Sequence, residues 1–287
     1  MNPEVFTLRN ESANLYVPDG TDVRDALSRT THLCIGAHPD DIEIMAYHGI
    51  AACFQRPDRW MCGVIVTDGA SSSRLGPYAR TTDEEMRAVR RQEQCKAAHI
   101  GEYGAQVQLG YTAKQAKATD RSAVVEDLLR ILEIARPRVV YLHNPADKHD
   151  THVATFMCSV EALRRLPAGM RPEEAYGCEV WRSLDWLPDS DKVVLSVSSR
   201  PNLAASLIGV FDSQISGGKR YDLATAGRRC ANATYLEAHE PDKETAVTYA
   251  MNLNPLLEDP TLSVKDFTFS LLEHFHEDVR DRLSRFT

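Results

Sequence analysis

Two kinds of hydrophobic pattern alternate along the first 165 residues of this chain. Continuous apolar runs, typical of buried strands, are followed by segments whose apolar residues recur every three or four positions, as on one face of a helix. The predicted strands are residues 32–37, 61–69, 105–110 and 138–145, and the predicted helices are residues 42–54, 81–101 and 121–137. This alternation predicts an α/β fold in which helices cover both faces of a mostly parallel sheet.

The pattern is weaker in the C-terminal part of the chain. It predicts two more strands and two more helices, while the last 40 residues are ambiguous. The strands are residues 177–187 and 192–199, and the helices are residues 201–216 and 221–236. No linker rich in Pro, Gly or Ser divides the chain. We therefore predict an N-terminal arm and one domain with a core and a C-terminal extension. These parts are residues 1–30 for the arm, 31–287 for the domain, 31–165 for the core and 166–287 for the extension.

Composition excludes several classes of protein. Lys and Arg number 33 against 41 Asp and Glu, which gives a net charge of −8, and the basic residues are scattered. A nucleic-acid partner and an anionic membrane surface are therefore not expected. The N-terminus lacks a signal peptide, and no 18-residue apolar run occurs, so we expect a soluble, cytoplasmic protein. The seven cysteines include no C-x-x-C pair and are interpreted as reduced core residues. Composition does not decide whether the chain forms a homo-oligomer.

The stretch GAHPDDIEI, residues 36–44, places three candidate metal ligands or catalytic groups at the exit of the first predicted strand. His38 and Asp41 stand three positions apart, where the free N–H groups of a helix start favour a carboxylate. A structural interpretation is equally open at this point, because Pro39, Asp40 and Asp41 would suit any helix start.

A second cluster, DKHDTHVA, places His149 and His152 on one face of a predicted helix that also follows a strand. Because parallel strands end at the same edge of a sheet, we expect the two clusters to converge on one metal. Two imidazoles and one carboxylate suit zinc and leave a fourth position for water, which is the catalytic arrangement. The remaining carboxylate, Asp40, is then a candidate general base.

These motifs resemble the LmbE-like (PIG-L) deacetylase family. The resemblance consists of AHPDD after a first strand, VTDG after a second strand and a late His-x-x-His, and it covers roughly residues 30–165. It implies a Rossmann-like core and a zinc-dependent enzyme that removes N-acetyl groups from glucosamine-type sugars or their conjugates.

The resemblance also implies a role for each motif residue. His38, Asp41 and His152 would bind Zn²⁺ or another divalent metal, Asp40 would be the general base, and a protonated His149 would stabilise the oxyanion or act as general acid. The chain departs from the family at one position of the late motif, which often reads His-Pro-Asp-His. Thr151 replaces the aspartate that usually orients the first histidine, so Asp147 or Asp150 is the candidate for that contact.

Three further residues are candidate substrate contacts. Arg90 and Glu93 match an Arg-x-x-Glu signature of the family, Asp68 lies in the VTDG motif, and His143 is placed at the mouth of the site. A charge on a solvated helix face is the structural alternative for Arg90.

A basic cluster in the C-terminal extension has no assigned role. Lys219, Arg220, Arg228 and Arg229 belong either to a substrate or interface surface or to a solvated face.

The sequence thus predicts a zinc-dependent hydrolase whose substrate is a small N-acetylated amino sugar or conjugate. The alternatives are a metal-dependent hydrolase of another amide or ester, and a non-catalytic sugar-binding or regulatory protein on the same fold.

Overall fold

The computed structural model describes residues 6–287, which form a three-layer α/β structure around one eight-stranded sheet. The spatial order of the strands is β1-β4-β3-β2-β5-β6-β8-β7. The strands are β1 Asn14–Tyr16, β2 His32–Gly36, β3 Met61–Thr67, β4 Ala105–Tyr111, β5 Val139–His143, β6 Glu174–Cys178, β7 Lys192–Ser196 and β8 Val247–Asn252. The five strands from β4 to β6 in this order are parallel, whereas β1, β8 and β7 pair with their neighbours antiparallel. The predicted mostly parallel, Rossmann-like sheet is confirmed.

Helices cover both faces of the sheet, which explains why the central strands are apolar without alternation. All seven residues of β3 are buried, as expected for a parallel strand with a helical layer on each side. The helices are α1 Val23–Ser28, α2 Asp41–Met45, α3 Tyr47–Cys53, α4 Asp83–Ile100, α5 Ala113–Ala116, α6 Ser122–Ala135, α7 Asp150–Arg165, α8 Pro201–Gly209, α9 Asp212–Ile215, α10 Tyr221–Thr234, α11 Asn254–Glu258 and α12 Val264–Ser284. One apolar core contains α1, α6 and α7, and the other contains α2, α3, α4 and α8.

Local signals explain the best-predicted helix. The α4 helix begins after Thr82, whose side chain accepts from the backbone N–H of Glu85 while the Glu85 carboxylate accepts from the backbone N–H of Thr82. This capping box satisfies two of the free N–H groups at the helix start. The helix ends at Gly101, as predicted.

The order of the strands creates a crevice beside β2. From β2 the chain builds outward through β3 and β4 in one direction, and β5 and β6 lie on the other side of β2. The connections that leave β2 and β5 therefore turn to opposite faces, and they open a gap at the carboxyl ends of these two strands. Both candidate clusters of the sequence lie in that gap.

Four sequence predictions differ from the structure. The N-terminal arm is integrated into the fold, because β1 pairs with β4 and α1 packs against α6; residues 1–5 of the arm lie outside the described residues. The helix predicted at 42–54 is broken at Ala46 into α2 and α3, and the helix predicted at 201–216 is divided into α8 and α9. The strand predicted at 177–187 continues only to Cys178, and the part that follows is a loop.

The ambiguous last 40 residues contribute β8, which inserts between β6 and β7, and the long helix α12. The extension thus continues the sheet of the core. No helix of residues 6–287 combines the length and the apolar character needed to cross a bilayer.

Gly49 provides a test of the helix–sheet packing. A Cβ at this position of α3 would lie 2.5 Å from Cε2 of Tyr141, a buried ring on β5. We expect Gly49→Ala to lower the free energy of unfolding by about 1 to 3 kcal/mol through overpacking. Gly227→Ala is the matched control, since a Cβ there meets no atom within 4 Å and should gain up to about 1 kcal/mol of helix propensity. Equal effects in chemical denaturation would contradict this packing.

Candidate active site

The turn that follows β2 fixes the first cluster. The Asp41 Oδ2 atom accepts from the backbone N–H of His38 at 2.7 Å, which closes the turn at the start of α2. Asp40 has a φ of 97°, in the left-handed region that L side chains rarely adopt. Its backbone N–H donates to Gln94 Oε1 at 3.1 Å, which holds this conformation from the side of α4. Strained backbone of this kind is typical of functional sites.

The second cluster meets the first across the crevice. The His38 Nδ1 atom lies 3.1 Å from His152 Nε2 and 3.3 Å from Asp41 Oδ2, and His152 Nε2 lies 3.4 Å from Asp41 Oδ1. Tetrahedral zinc with bonds of about 2.0 to 2.2 Å separates its ligand atoms by about 3.3 to 3.6 Å. Asp41 makes these two approaches with different oxygens, and 114 residues separate the two histidines in the chain. With one donor atom per residue, two overlapping groups lie within 4.8 Å: His38 with His149 and His152, and Asp41 with His143 and His152.

Asp147 orients His152. Its Oδ2 atom lies 3.1 Å from His152 Nδ1, and both side chains are fully buried. A proton held on Nδ1 by this carboxylate leaves the lone pair of Nε2 free for a metal. Of the two aspartates that the sequence offered in place of Thr151, the structure therefore selects Asp147, but for His152 and not for His149.

Asp147 also orders the loop that carries His149. Its Oδ1 atom accepts from the backbone N–H groups of Lys148 and His149, and its Oδ2 atom accepts from that of Trp181. One buried carboxylate thus connects the end of β5, the start of α7 and the loop after β6.

His149 lies beside the three ligand candidates. Its ring centroid is 4.9 Å from that of His38 and 4.6 Å from that of His152. Among the described residues, its buried Nδ1 has no hydrogen-bond partner. Burial, together with His152 and His38, lowers the pKa of His149 to about 4. The surroundings therefore disfavour a protonated His149 near pH 7, and the role predicted for this residue stays a prediction.

Among the three ligand candidates, Asp41 supplies a negative charge that faces the histidine rings. Burial by itself raises the pKa of Asp41, but the facing rings of His152 and His143 lower it well below its usual range. Burial lowers the pKa of His152, and the Asp41 and Asp147 carboxylates reverse this and raise it. Asp41 is thus a carboxylate whose charge is directed at the histidine rings.

The Asp40 carboxylate pairs with a buried arginine. The Arg90 guanidinium lies 2.9 Å from Asp40 Oδ2 and 3.3 Å from Glu93 Oε2, and it also donates to the Pro39 carbonyl. Burial raises the pKa of Asp40 to about 6, with Asp41 adding to the rise and Arg90 opposing it. Two buried carboxylates of similar sequence context thus differ in their affinity for a proton.

Arg90 borders the cavity described below, but its guanidinium is engaged by neighbouring protein groups. Its side chain is only 1% exposed, and its Nη groups donate to Pro39, Asp40, Glu93 and Ser213, whereas its Nε has no hydrogen-bond partner among the described residues. Ser213 from α9 in turn donates its backbone N–H and its hydroxyl to the Glu93 carboxylate. The geometry therefore makes Arg90 a buried support for Asp40.

The other two predicted substrate contacts lie elsewhere. His143 is fully buried behind the ligand candidates and not at the mouth, with its Nε2 accepting from the backbone N–H of Ala37 at 2.9 Å. Its ring stacks on His152 at 3.9 Å. The Asp68 side chain pairs with Arg87 at 3.0 Å, because this carboxylate turns toward α4. Asp68 does not line the cavity described next.

A cavity of about 660 Å³ opens above the cluster. Ser71, Ser72 and Ser73 line one wall, and Trp181 and Tyr221 line the other. The second wall comes from the extension, and sequence patterns missed these two aromatic residues because their segments carry no ligand-like spacing. Lys148 and Asp147 were detectable only as neighbours of His149 in the DKHDTH stretch.

Fold and site together define an α/β protein with a candidate metal site at the switch point of a mostly parallel sheet. Residues 33–163 match the family described as PIG-L: GlcNAc-PI de-N-acetylase. The chain therefore contains a PIG-L/LmbE-like domain. It is also similar to the uncharacterized deacetylase YaiS of Escherichia coli K12, with 28% identity over 158 residues, which are 53% of this chain and 77% of YaiS.

Solved structures share the fold at low identity. The N,N'-diacetylchitobiose deacetylase of Pyrococcus horikoshii aligns with a TM-score of 0.62 and 18% identity, covering 80% of this chain and 86% of that one. GalB, the 4-carboxy-2-hydroxymuconate hydratase of Pseudomonas putida KT2440, aligns with a TM-score of 0.59 and 17% identity, covering 78% and 96%. One fold thus carries two different reactions, so the reaction must be argued from the site.

Removal of Arg90 tests the buried ion pair. We expect Arg90→Met to lower the free energy of unfolding by about 3 to 5 kcal/mol, because the Asp40 and Glu93 carboxylates stay buried without a cation. The loss should be smaller at pH 5 than at pH 8, because burial raises the pKa of Asp40 to about 6 and protonation removes its unpaired charge. Arg138→Met is the control: its pair with Glu173 is 70% and 64% exposed and should contribute less than about 1 kcal/mol. Similar losses in both variants would contradict a structural charge at Arg90.

Proposed function

We propose that this chain is a metal-dependent N-deacetylase that hydrolyses the N-acetyl group of an amino sugar or sugar conjugate. The observation that carries the proposal is the buried Asp40 carboxylate, which lines the same cavity as His38 and Asp41. Neighbouring donor atoms of the three ligand candidates lie 3.1 to 3.4 Å apart. The PIG-L family description and the name of YaiS, which both specify deacetylation, support the choice of reaction.

The donor set fits zinc. His38 and His152 offer imidazole nitrogens and Asp41 offers a carboxylate oxygen, which is a known ligand combination of catalytic zinc sites. The bond from Asp147 to His152 is the outer contact that such a histidine requires. A zinc ion held by these residues would supply Lewis-acid polarisation of the acetyl carbonyl. Other divalent metals that accept nitrogen and oxygen ligands are compatible with the same set.

Asp40 is the proposed general base. Water attacks the acetyl carbon, and the proton that it loses passes to the Asp40 carboxylate. When the C–N bond breaks, the same proton passes to the amine nitrogen. Acetic acid and the free amino sugar then leave, and the acid gives its remaining proton to solvent to become acetate. A pKa of about 6 suits both steps, because the group is ionised at pH 7 but remains basic. Arg90 holds the carboxylate in place through its bond to Oδ2.

His149 is the proposed donor to the oxyanion that forms on the acetyl oxygen. With its pKa lowered to about 4 the ring is uncharged, and it would act through a neutral N–H. The cavity volume of about 660 Å³ lies within the range of small-molecule sites and can admit a sugar with a substituent.

Two alternatives predict different measurements. A hydrolase of another amide or ester would use the same residues but would release no acetate from N-acetylated sugars. A non-catalytic sugar-binding protein would bind such sugars without turnover. A screen for acetate release over N-acetyl sugars and conjugates, together with metal analysis of the purified protein, separates the three functions.

Substitution of the two neighbouring aspartates separates a base from a ligand. We expect Asp40→Asn to retain the metal while turnover falls by about 10²- to 10⁴-fold, since the variant lacks basicity. Asp41→Ala should lose metal occupancy itself and recover only at higher zinc concentration. Zinc content, melting temperature and acetate release should be measured for both. Full turnover with unchanged metal content in both variants would contradict both roles and would leave the two aspartates with only a structural role at the start of a helix.

Asp147→Asn tests the outer contact of the proposed site. An amide at this position would place an N–H₂ group against His152 Nδ1 and favour the tautomer that carries its proton on Nε2. We expect the affinity for zinc to fall by about 10- to 100-fold. Asp150→Asn is the matched control, because Asp150 is exposed at the same helix start. Equal zinc affinities of the two variants in a chelator competition assay would contradict the role of Asp147.

A further inference from the structure

Four cationic side chains that are not buried line the cavity without a carboxylate partner. They are Lys117, Lys148, Lys219 and Arg228. Arg220, the neighbour of Lys219, pairs with Asp222 at 2.7 Å, whereas none of the four forms a salt bridge with any part of residues 6–287. The whole chain has a net charge of −8. The unpaired charge at the cavity is therefore positive, whereas the net charge of the protein is negative.

Three of these cations are gathered around Trp181. The Lys219 Nζ atom lies 4.9 Å and the Lys148 Nζ atom 6.0 Å from the centroid of the indole ring. Arg228 donates to the carbonyl of Val180, the preceding residue. The ring attracts both ammonium groups through its π face, so the indole keeps them together at the cavity despite their mutual repulsion.

The acidic residues of the cavity do not neutralise this cluster. Asp40 pairs with Arg90, and Asp41 faces the histidines. The Glu179 carboxylate is buried, where it accepts from the Asn232 amide and from the backbone N–H groups of Leu184 and Tyr249. A cleft lined by unbalanced charge of one sign concentrates ligands of the opposite sign.

The cluster lies next to the proposed reaction centre. The Trp181 ring centroid is 5.8 Å from that of His149, which itself lies 4.9 Å from that of His38. An acetamido group at the ligand candidates and an anionic group at the ammonium groups can therefore belong to one small substrate.

We propose that the cavity contains an oxyanion subsite formed by Lys148, Lys219 and Arg228. This proposal rests on the proposed function and names its substrate class: an N-acetylated amino sugar that carries a phosphate or carboxylate group. Lys and Arg form their strongest hydrogen bonds with these two groups. Of the basic cluster in the extension, Lys219 and Arg228 therefore belong to the subsite. Arg220 and Arg229 do not, because Arg220 pairs with Asp222 and Arg229 donates to the buried carbonyls of Glu43 and Ile44.

The first experiment compares matched substrates of the zinc-loaded protein. N-acetylglucosamine is the neutral member, N-acetylglucosamine 1-phosphate and 6-phosphate are the phosphate members, and N-acetylmuramic acid is the carboxylate member. We expect kcat/KM to be about 10- to 100-fold higher for at least one anionic sugar, the effect of a charge-assisted hydrogen bond, and the preference to shrink with added salt. A neutral sugar that reacts as well as every anionic one overturns the proposal.

Variants locate the effect. In Lys219→Met and Lys148→Met the ratio of kcat/KM between the anionic and the neutral sugar should fall about tenfold. Lys265→Met is the matched control, since Lys265 also lies over an aromatic ring, at 5.6 Å from Phe269, but on α12. The control should keep the wild-type ratio. Equal ratios in all three variants contradict the subsite.

Binding to the metal-free protein separates this proposal from the deacetylase proposal. Calorimetric titration with N-acetylglucosamine 1-phosphate and with inorganic phosphate should show binding that Lys219→Met weakens and Lys265→Met leaves unchanged. If these anions bind but no acetate is released from any sugar, the subsite stands and the deacetylase proposal fails. If neutral sugars are deacetylated and the anions do not bind, the deacetylase proposal stands and the subsite fails.

Discussion

The parallel pairing of β2 with β5 is the constraint on which the rest of the site depends. These strands lie side by side in register from His32 with Val139 to Ile35 with Leu142, and each is followed by a turn into a helix on a different face. The turn after β2 carries His38, and the helix that follows β5, α7, carries His152 in its first turn. Backbone hydrogen bonds between two buried strands therefore set the distance between groups that could share a metal.

Buried charge is the second feature that shapes this region. Asp40, Arg90 and Glu93 are all nearly inaccessible, and a buried ion is tolerated only when it is paired and hydrogen-bonded. Ser213 supplies the remaining bonds to Glu93 from the C-terminal extension. The extension is thus connected to Asp40 through a continuous set of polar contacts. A strained backbone at Asp40 is held by the same surroundings, because Gln94 accepts from its N–H.

Hydrophobic periodicity was sufficient to predict the strands and helices of the core, but not the short edge strand or the partners of the polar side chains. The strands β2, β3, β4 and β5 and the helices α4 and α6 follow from local patterns, since each is apolar or amphipathic over its full length. The three-residue strand β1 has no such pattern, because pairing with β4 rather than its own composition makes it a strand. The substrate contacts predicted at Arg90, Asp68 and His143 stay predictions, and the structure gives each side chain a protein partner that its sequence did not indicate. Sequence shows that a residue is polar, but the partner that takes up its hydrogen bonds lies elsewhere in the chain.

The sequence by itself determined the alternating α/β pattern, the two histidine and aspartate clusters and their position at strand ends, because strand and helix periods and i, i+3 spacings are local properties. Only the tertiary structure decided that Asp147 orients His152 and that Arg90 pairs with Asp40. It also decided that Lys148 and Lys219 both lie near the ring of Trp181. The contacts of Arg90 with Asp40 and of the two lysines with Trp181 join residues 33 to 50 positions apart. The contact of Asp147 with His152 depends on the direction in which a buried side chain turns. Chain packing decides such distances and directions, and no local pattern encodes them.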